Sequence, residues 1–369
     1  MPVPMLDLKA QYASIKTEID AVVADVFAAQ QFRGGPHSDA FEAAVAAYVG
    51  VSHAIGVASG TDALYLALKA LDLQPGNEVI TSPFTFFATA GAIVNAGGTP
   101  IFADIDPVTY TIDPESVAAR VTVRTRAIMP VHLYGQCADM DALRAIAAKR
   151  AIPIIEDAAQ AIGARYREHS AGSMGLMAAL SFYPTKNLGA AGEGGMILTS
   201  DDDTAKKLRM LRCHGASATY VHEIVGTNSH LHALQAAVLN VKLRHLNDWN
   251  AARRSHADYY TKALSDCPGI VTPVERLDCR HVYHQYVVRV PQRDACRTLF
   301  SERGIGCGVF YPVPLHRQEC FAGLDPAADC PEADRAALEV LALPMYPELT
   351  QTQQDVVLAA LRDHVSSLA

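Results

Sequence analysis

Long hydrophobic runs are missing from this chain. Its apolar stretches, such as Ala88 to Val94, break off well short of the roughly 20 residues that a membrane-crossing helix needs, so no segment is predicted to span a bilayer. Clustered basic residues are missing too. Lys+Arg total 31 against 39 Asp+Glu, giving a formal net charge of -8. That balance argues against a protein that holds nucleic acid by broad neutralisation of phosphates, so an anionic ligand has to be met by local contacts. The 8 cysteines are scattered with no Cys-x-x-Cys pair, and neither a zinc ribbon nor a disulfide framework is expected. The opening residues Met1-Pro-Val-Pro-Met-Leu-Asp-Leu-Lys9 contain no basic region followed by an apolar run. They do not read as a signal peptide, and the cytoplasm is the expected compartment.

What is present is the composition of a folded enzyme. The 369 residues are 50% hydrophobic and 19% charged, long enough for a large sheet plus a second subdomain. Short apolar strands alternate with Ala/Leu-rich helical patterns, and no internal repeat interrupts them. Strands are predicted at 54–57, 78–81, 100–103, 127–131, 153–156, 179–182 and 196–199. Helices are predicted at 63–73, 86–95, 114–120 and 141–150. This alternation predicts an α/β fold with a mostly parallel sheet between helices. After about residue 230 it gives way to a long helical run, 231–264, a strand-like 281–290, and helices at 294–303 and 350–368. A large domain over 1–240 and a smaller C-terminal α+β domain over 241–369 are therefore expected.

Three segments carry chemistry. Pro153-Ile-Ile-Glu-Asp157-Ala-Ala-Gln160 is a β-branched run that ends in acidic residues, and ligands of open α/β sheets gather at the carboxyl ends of strands. Asp157 is either a functional carboxylate there or a helix cap. In Ser181-Phe-Tyr-Pro-Thr-Lys186-Asn-Leu-Gly a lone lysine lies between a strand and a Gly-rich loop. In a desolvated pocket its amine would be freed as a nucleophile and base; on a loop it would simply be solvated. In Ser59-Gly60-Thr61-Asp62 a strand passes into a helix, which makes either a phosphate site or an ordinary capped helix.

In this order, with Pro4–Tyr12, Thr81–Thr89, Pro130-Val-His-Leu-Tyr-Gly-Gln136, His281–Tyr286, Tyr311-Pro-Val-Pro-Leu-His-Arg-Gln318 and Leu343-Pro-Met345, the segments resemble the DegT family of sugar-nucleotide aminotransferases. That family belongs to the fold-type I pyridoxal-phosphate enzymes. The resemblance implies pyridoxal 5'-phosphate as cofactor, Lys186 as the Schiff-base lysine and Asp157 as partner of the pyridine nitrogen. A carboxylate there favours the protonated ring, which draws electrons from the reacting carbon.

It further implies that Gln160 contacts the cofactor near its ring hydroxyl and that Phe86 stacks on the ring, although Phe84, Phe86 and Phe87 could equally be core residues. Gly60, Thr61 and Ser181 would hold the phosphate, with Asn228 supplied by the neighbouring subunit of a homodimer. Tyr183, Tyr311 and His316 fall in motifs near the sugar. The substrates implied are L-glutamate and a nucleotide-linked keto-sugar, with C3 preferred over C4 as the site of amination.

Family dehydratases carry His in place of the lysine; here Lys186 is present. An aminocyclitol aminotransferase on the same scaffold and a non-catalytic regulator are the competing readings. One departure stands out: the family string Asn-x-Arg reads Asn228-Ser229-His230 here, which removes a permanent charge. No metal site is expected, since His230 and His232 lie on different sides of a predicted helix.

Overall fold

The computed structural model describes residues 2–368. Its centre is an α/β sheet of strands β1 (His53–Val57), β2 (Glu78–Thr81), β3 (Thr99–Phe102), β4 (Thr125–Met129), β5 (Ile155–Asp157), β6 (Met177–Ser181) and β7 (Gly195–Thr199). A 3-stranded and a 4-stranded ladder are joined by the parallel bridges Ile128↔Ile154 and Val131↔Asp157. The spatial order is β3-β2-β4-β5-β6-β7-β1. Only β7 runs against the others, pairing antiparallel with both β6 and β1.

Alternation along each strand divides its side chains between two faces. Ile55, Val57, Ala179 and Ile197 pack with helices α3 (Gly60–Ala70), α4 (Ala88–Asn95) and α7 (Asp202–Leu211). Ala54, Ala178, Leu180, Met196 and Leu198 face α2 (Pro36–Val49) and α8 (Ala233–Leu264). Both faces are covered, which is why the strands read as unbroken apolar runs. Helices α5 (Pro114–Arg120) and α6 (Met140–Ala148) complete the layer over β2 and β4.

A second core gathers Tyr260 and Leu264 from the end of α8. To these it adds the antiparallel pair β8 (Tyr286–Arg289) and β9 (Val340–Leu343), with α9 (Arg293–Glu302) and α11 (Gln351–Ser366). The chain's start belongs here as well: Val3 is fully buried in this core and bridges Ile305. The N-terminal arm was expected with the large domain, but its apolar residue finds its partners in the second core. We propose a domain boundary inside α8, whose two ends serve different cores.

The strand expected over 281–290 is shorter than the sequence suggests. Residues 281–285 turn aside because the buried Arg253 guanidinium takes the carbonyls of Tyr283 and His284 at 3.2 and 3.4 Å. Those acceptors are then lost to any ladder. Helix α1 (Leu8–Ala29) was missed, since its buried residues Gln11, Ile15, Ile19 and Val26 form too narrow a stripe. Helices α2, α7 and α10 (Pro331–Glu339) were missed as well.

One buried carboxylate fastens the sheet. Glu156 on β5 is fully buried and accepts from the amides of Gly172, Met174 and Gly175 at 2.7, 2.6 and 2.7 Å. It also accepts from His132 Nε2 at 2.8 Å. His132 Nδ1 accepts from the Ala138 amide, so the imidazole is neutral with its proton on Nε2. Burial pushes the Glu156 carboxyl pKa up, but the His132 and backbone bonds outweigh it and hold it below the ordinary 4.5.

Replacing Glu156 with Ala strands four donors, three amides and His132 Nε2, and is expected to cost about 3 kcal/mol or more in urea unfolding at pH 7. A depressed carboxyl stabilises above its unfolded pKa. The gap between wild type and variant should therefore narrow as pH falls from 4.5. A gap below about 0.5 kcal/mol would refute the fastening role.

Candidate active site

The carboxyl ends of β1, β5 and β6 face the same side, and the loops leaving them bring the chemical groups together. Asp157 closes β5 and is 4% exposed. Its Oδ2 accepts from the Thr89 hydroxyl at 2.8 Å and its Oδ1 from the Ala159 amide at 3.2 Å. Burial raises its pKa, opposed by those two bonds and by the nearby charge of Lys186. It is a buried, hydrogen-bonded carboxylate and not an exposed cap.

Lys186 lies on the loop between β6 and β7, half-buried, and burial pulls its pKa down to about 8 against the field of Asp157. The two groups thus act on one another's ionisation. The loop is pinned on both sides of the lysine. The Lys186 amide donates to the Tyr183 carbonyl at 2.9 Å. The buried Asn187 donates from Nδ2 to Asn250 Oδ1 at 2.8 Å and to the Val282 carbonyl at 3.1 Å. A Cβ at Gly189 would lie 2.3 Å from the Pro184 carbonyl oxygen, so only glycine fits the turn.

Gln160 bridges two elements, accepting from the Tyr134 amide at 2.7 Å and donating to the Tyr311 hydroxyl at 3.1 Å. Burial raises the Tyr311 pKa, and the charge of Asp157 adds to that. Phe86 is 58% exposed, with its ring centroid 6.5 Å from that of Tyr311, whereas Phe84 is fully buried. Of the two, only Phe84 is a core residue. Tyr183, three residues before Lys186, is also exposed.

At the start of α3, the Ser59 hydroxyl caps only the Asp62 amide, at 3.1 Å, leaving the amides of Gly60 and Thr61 free. A Cβ on Gly60 would come within 2.6 Å of Ser181 Cβ, and one on Gly195 within 2.2 Å of the Ser59 carbonyl oxygen. Those glycines let β6, β7 and the helix start converge into a small cradle. The Ser229 hydroxyl braces it from behind, donating to Asp62 Oδ2 at 2.7 Å and accepting from the Ala58 amide at 3.1 Å.

Two of the sequence-derived site residues stand apart. Asn228 is exposed and its side chain has no hydrogen-bond partner among the described residues. The His316 side chain is 2% exposed and turned toward Asp334, with Nε2 3.3 Å from a carboxylate oxygen. The geometry there falls short of a hydrogen bond, and burial lowers the imidazole pKa. Sequence reading missed Thr89, Asn187 and Ser229. The signal for Thr89 was its place in the Thr81–Thr89 string, but nothing local shows that its hydroxyl meets a carboxylate 68 residues on. Open surface pockets of about 590 and 440 Å³ lie elsewhere, one beside Glu78 and Arg124 and one beside Pro291 and Leu338. Neither is lined by Lys186 or Asp157.

These groups fit pyridoxal phosphate. Free amides and small residues suit its phosphate, a buried carboxylate with unused lone pairs suits its ring nitrogen, and an amine of lowered pKa suits its aldehyde.

Comparison with known proteins agrees. The profile of the DegT/DnrJ/EryC1/StrS aminotransferase family matches residues 13–362. A pleiotropic regulatory protein of Geobacillus stearothermophilus is 50% identical over 98% of both chains. The dTDP-3-amino-3,4,6-trideoxy-alpha-D-glucose transaminase of Streptomyces venezuelae is 45% identical over 98% of this chain and 96% of its own. The crystal structure of S. venezuelae DesV superposes with a TM-score of 0.96 at 44% identity, covering 99% of this chain and 98% of its own.

Two outcomes follow from the geometry. Only the neutral amine of Lys186 is nucleophilic, so pyridoxal phosphate uptake by the stripped enzyme should accelerate as pH rises through about 8 and then level. A midpoint near the ordinary 10.5 would refute the desolvated lysine. Thr89→Val removes a bond that favours ionised Asp157, moving the acid limb of the activity profile to higher pH and reducing turnover roughly tenfold at pH 7. An unmoved limb would dismiss the Thr89 contact.

Proposed function

The chain belongs to the DegT/DnrJ/EryC1/StrS aminotransferase family, and we propose from that premise that it transfers the amino group of L-glutamate to a nucleotide-linked 3-keto sugar. It is a pyridoxal-phosphate-dependent aminotransferase. The observation that carries the substrate-independent part of this reading is the electrostatic coupling of Asp157, a buried carboxylate closing one strand, with Lys186, a desolvated amine on the loop that leaves the neighbouring parallel strand. The regulator reading is disfavoured by that intact pair, which a sensor would not need.

Pyridoxal phosphate supplies, when bound, an aldehyde that takes up amino groups and a ring that withdraws electrons. Asp157 holds the proton at the ring nitrogen, and Thr89 with the Ala159 amide keeps the carboxylate ionised and aimed. Lys186 Nζ takes the proton from the amino-bearing carbon of the donor and delivers one to the carbon that receives nitrogen. Gln160 fixes Tyr311 and is itself fixed by the Tyr134 amide, so the rim beside the ring hydroxyl is set before substrate arrives. The exposed Phe86 is the stacking face. Glutamate leaves as 2-oxoglutarate, and the keto oxygen of the sugar leaves as water.

The unpartnered Asn228 supports a homodimer in which the neighbouring subunit's copy of that asparagine completes the phosphate site. Tyr183, Tyr311 and His316 are proposed for the sugar side; His316 would have to turn from Asp334 to reach it. Amination at C3 is preferred because the Streptomyces relative is a transaminase of a 3-amino sugar nucleotide. No described helix is long and apolar enough to cross a membrane, and we place the enzyme in the cytoplasm.

Nucleotide-linked 3-keto and 4-keto hexoses, each given with glutamate, are expected to yield product aminated at C3 by mass and NMR analysis. Turnover confined to 4-keto substrates would overturn the position. Dimers mixed from Lys186→Ala and Asn228→Ala subunits should regain up to about a quarter of wild-type activity, because one of the two sites then draws on two intact contributors. Verified mixed dimers without activity would refute the shared site.

A further inference from the structure

Arg33 lies on the link between α1 and α2, exposed to solvent. Its Nη2 donates to His230 Nε2 at 2.6 Å and to Cys213 Sγ at 3.4 Å. Among the described residues its Nε and Nη1 meet no acceptor, and no carboxylate lies within 4.0 Å of the guanidinium. The backbone holds this placement: Arg33 bridges His232, and the Ala233 amide donates to the Phe32 carbonyl at 3.0 Å. The guanidinium is thus fixed at one nitrogen and free at two, aimed away from the histidine that anchors it.

Its surroundings are basic. Since a guanidinium only donates, His230 Nε2 is the acceptor and the ring is neutral. Burial lowers the His230 pKa, and Arg33, Arg212, His214 and His232 lower it further, to about 4. Arg212 is neutralised by Glu42. What remains is a permanent charge at Arg33, bonded to a neutral His230 and without a carboxylate within 4.0 Å among the described residues. A fork with two open N–H groups and no carboxylate partner has the geometry that receives a planar carboxylate or a phosphate oxygen pair.

We propose that Arg33, oriented by His230, is an oxyanion-binding residue for the substrates, taking a carboxylate of the amino donor or the diphosphate of the sugar nucleotide. The guanidinium that the sequence lacks at position 230 is delivered instead from the α1–α2 link onto the same spot. The inference rests on the proposed function, because the neighbouring Asn228 is what carries this segment to a substrate site.

The test uses the dimeric holoenzyme. Glutamate-driven change of the cofactor absorption band, without sugar, reads donor affinity. Calorimetry with glutarate and with a nucleoside diphosphate reads the two anions separately. Arg33→Ala is expected to weaken one of these ligands roughly 10- to 100-fold, leaving the other within about twofold. The glutamate and glutarate arm identifies a carboxylate site, and the diphosphate arm a phosphate site. The double variant R33A/H230R returns a guanidinium to the spot and should recover most of the loss.

Affinities unchanged in both arms overturn the proposal. So does a loss that R33A/H230R fails to restore, which would make Arg33 structural. Dissociation of the dimer with both affinities intact also overturns it, by assigning the charge to a carboxylate of the second copy. Arg33→Lys, which keeps the charge without the fork, serves if the alanine variant does not fold. Wild-type enzyme that glutamate leaves unchanged defeats the proposed donor, while the diphosphate arm still tests this residue.

Discussion

The site depends on keeping a carboxylate charged where the protein has removed the water. Asp157 lies at the end of a buried strand, and burial raises its carboxyl pKa. The Thr89 hydroxyl, the Ala159 amide and the field of Lys186 oppose that tendency. The same desolvation acts in the opposite chemical sense on Lys186, bringing its amine toward neutrality near physiological pH. One low-dielectric environment therefore acts on both groups, raising the carboxyl pKa and lowering that of the amine.

Keeping the floor of that site rigid is the task of the layer beneath. Glu156, next to Asp157 and on the opposite face of β5, gathers three backbone amides and a neutral His132. The strand end that carries Asp157 is thereby tied to the 172–175 turn. On the far side, the antiparallel β7 lies between β6 and β1, bringing Gly195 against Ser59 and Ser181 against Gly60. The cradle at the start of α3 is a product of that strand order.

Architecture was legible because it rests on periodicity. All seven strands of the sheet were located within a few residues, and α5 on its observed bounds, since buried parallel strands are unbroken apolar runs between turn residues. Where a segment's conformation is set by distant groups, local pattern fails. Residues 281–285 look like a strand until Arg253 takes their carbonyls, and α1 hides its helix behind a narrow buried stripe.

By itself the sequence determined the family and the cofactor, and it singled out Lys186 and Asp157 as candidates, because those are carried by residue types in a fixed order along the chain. It also showed that an arginine is missing at position 230. Tertiary structure alone decided that Thr89 supports Asp157, that Asn187 pins the lysine loop, that Phe86 is exposed while Phe84 is core, and that His316 turns to Asp334. Only the fold reveals that Arg33 stands against His230, 197 residues away. Such contacts join segments remote in sequence, and no spacing rule records a distance that is closed by packing alone.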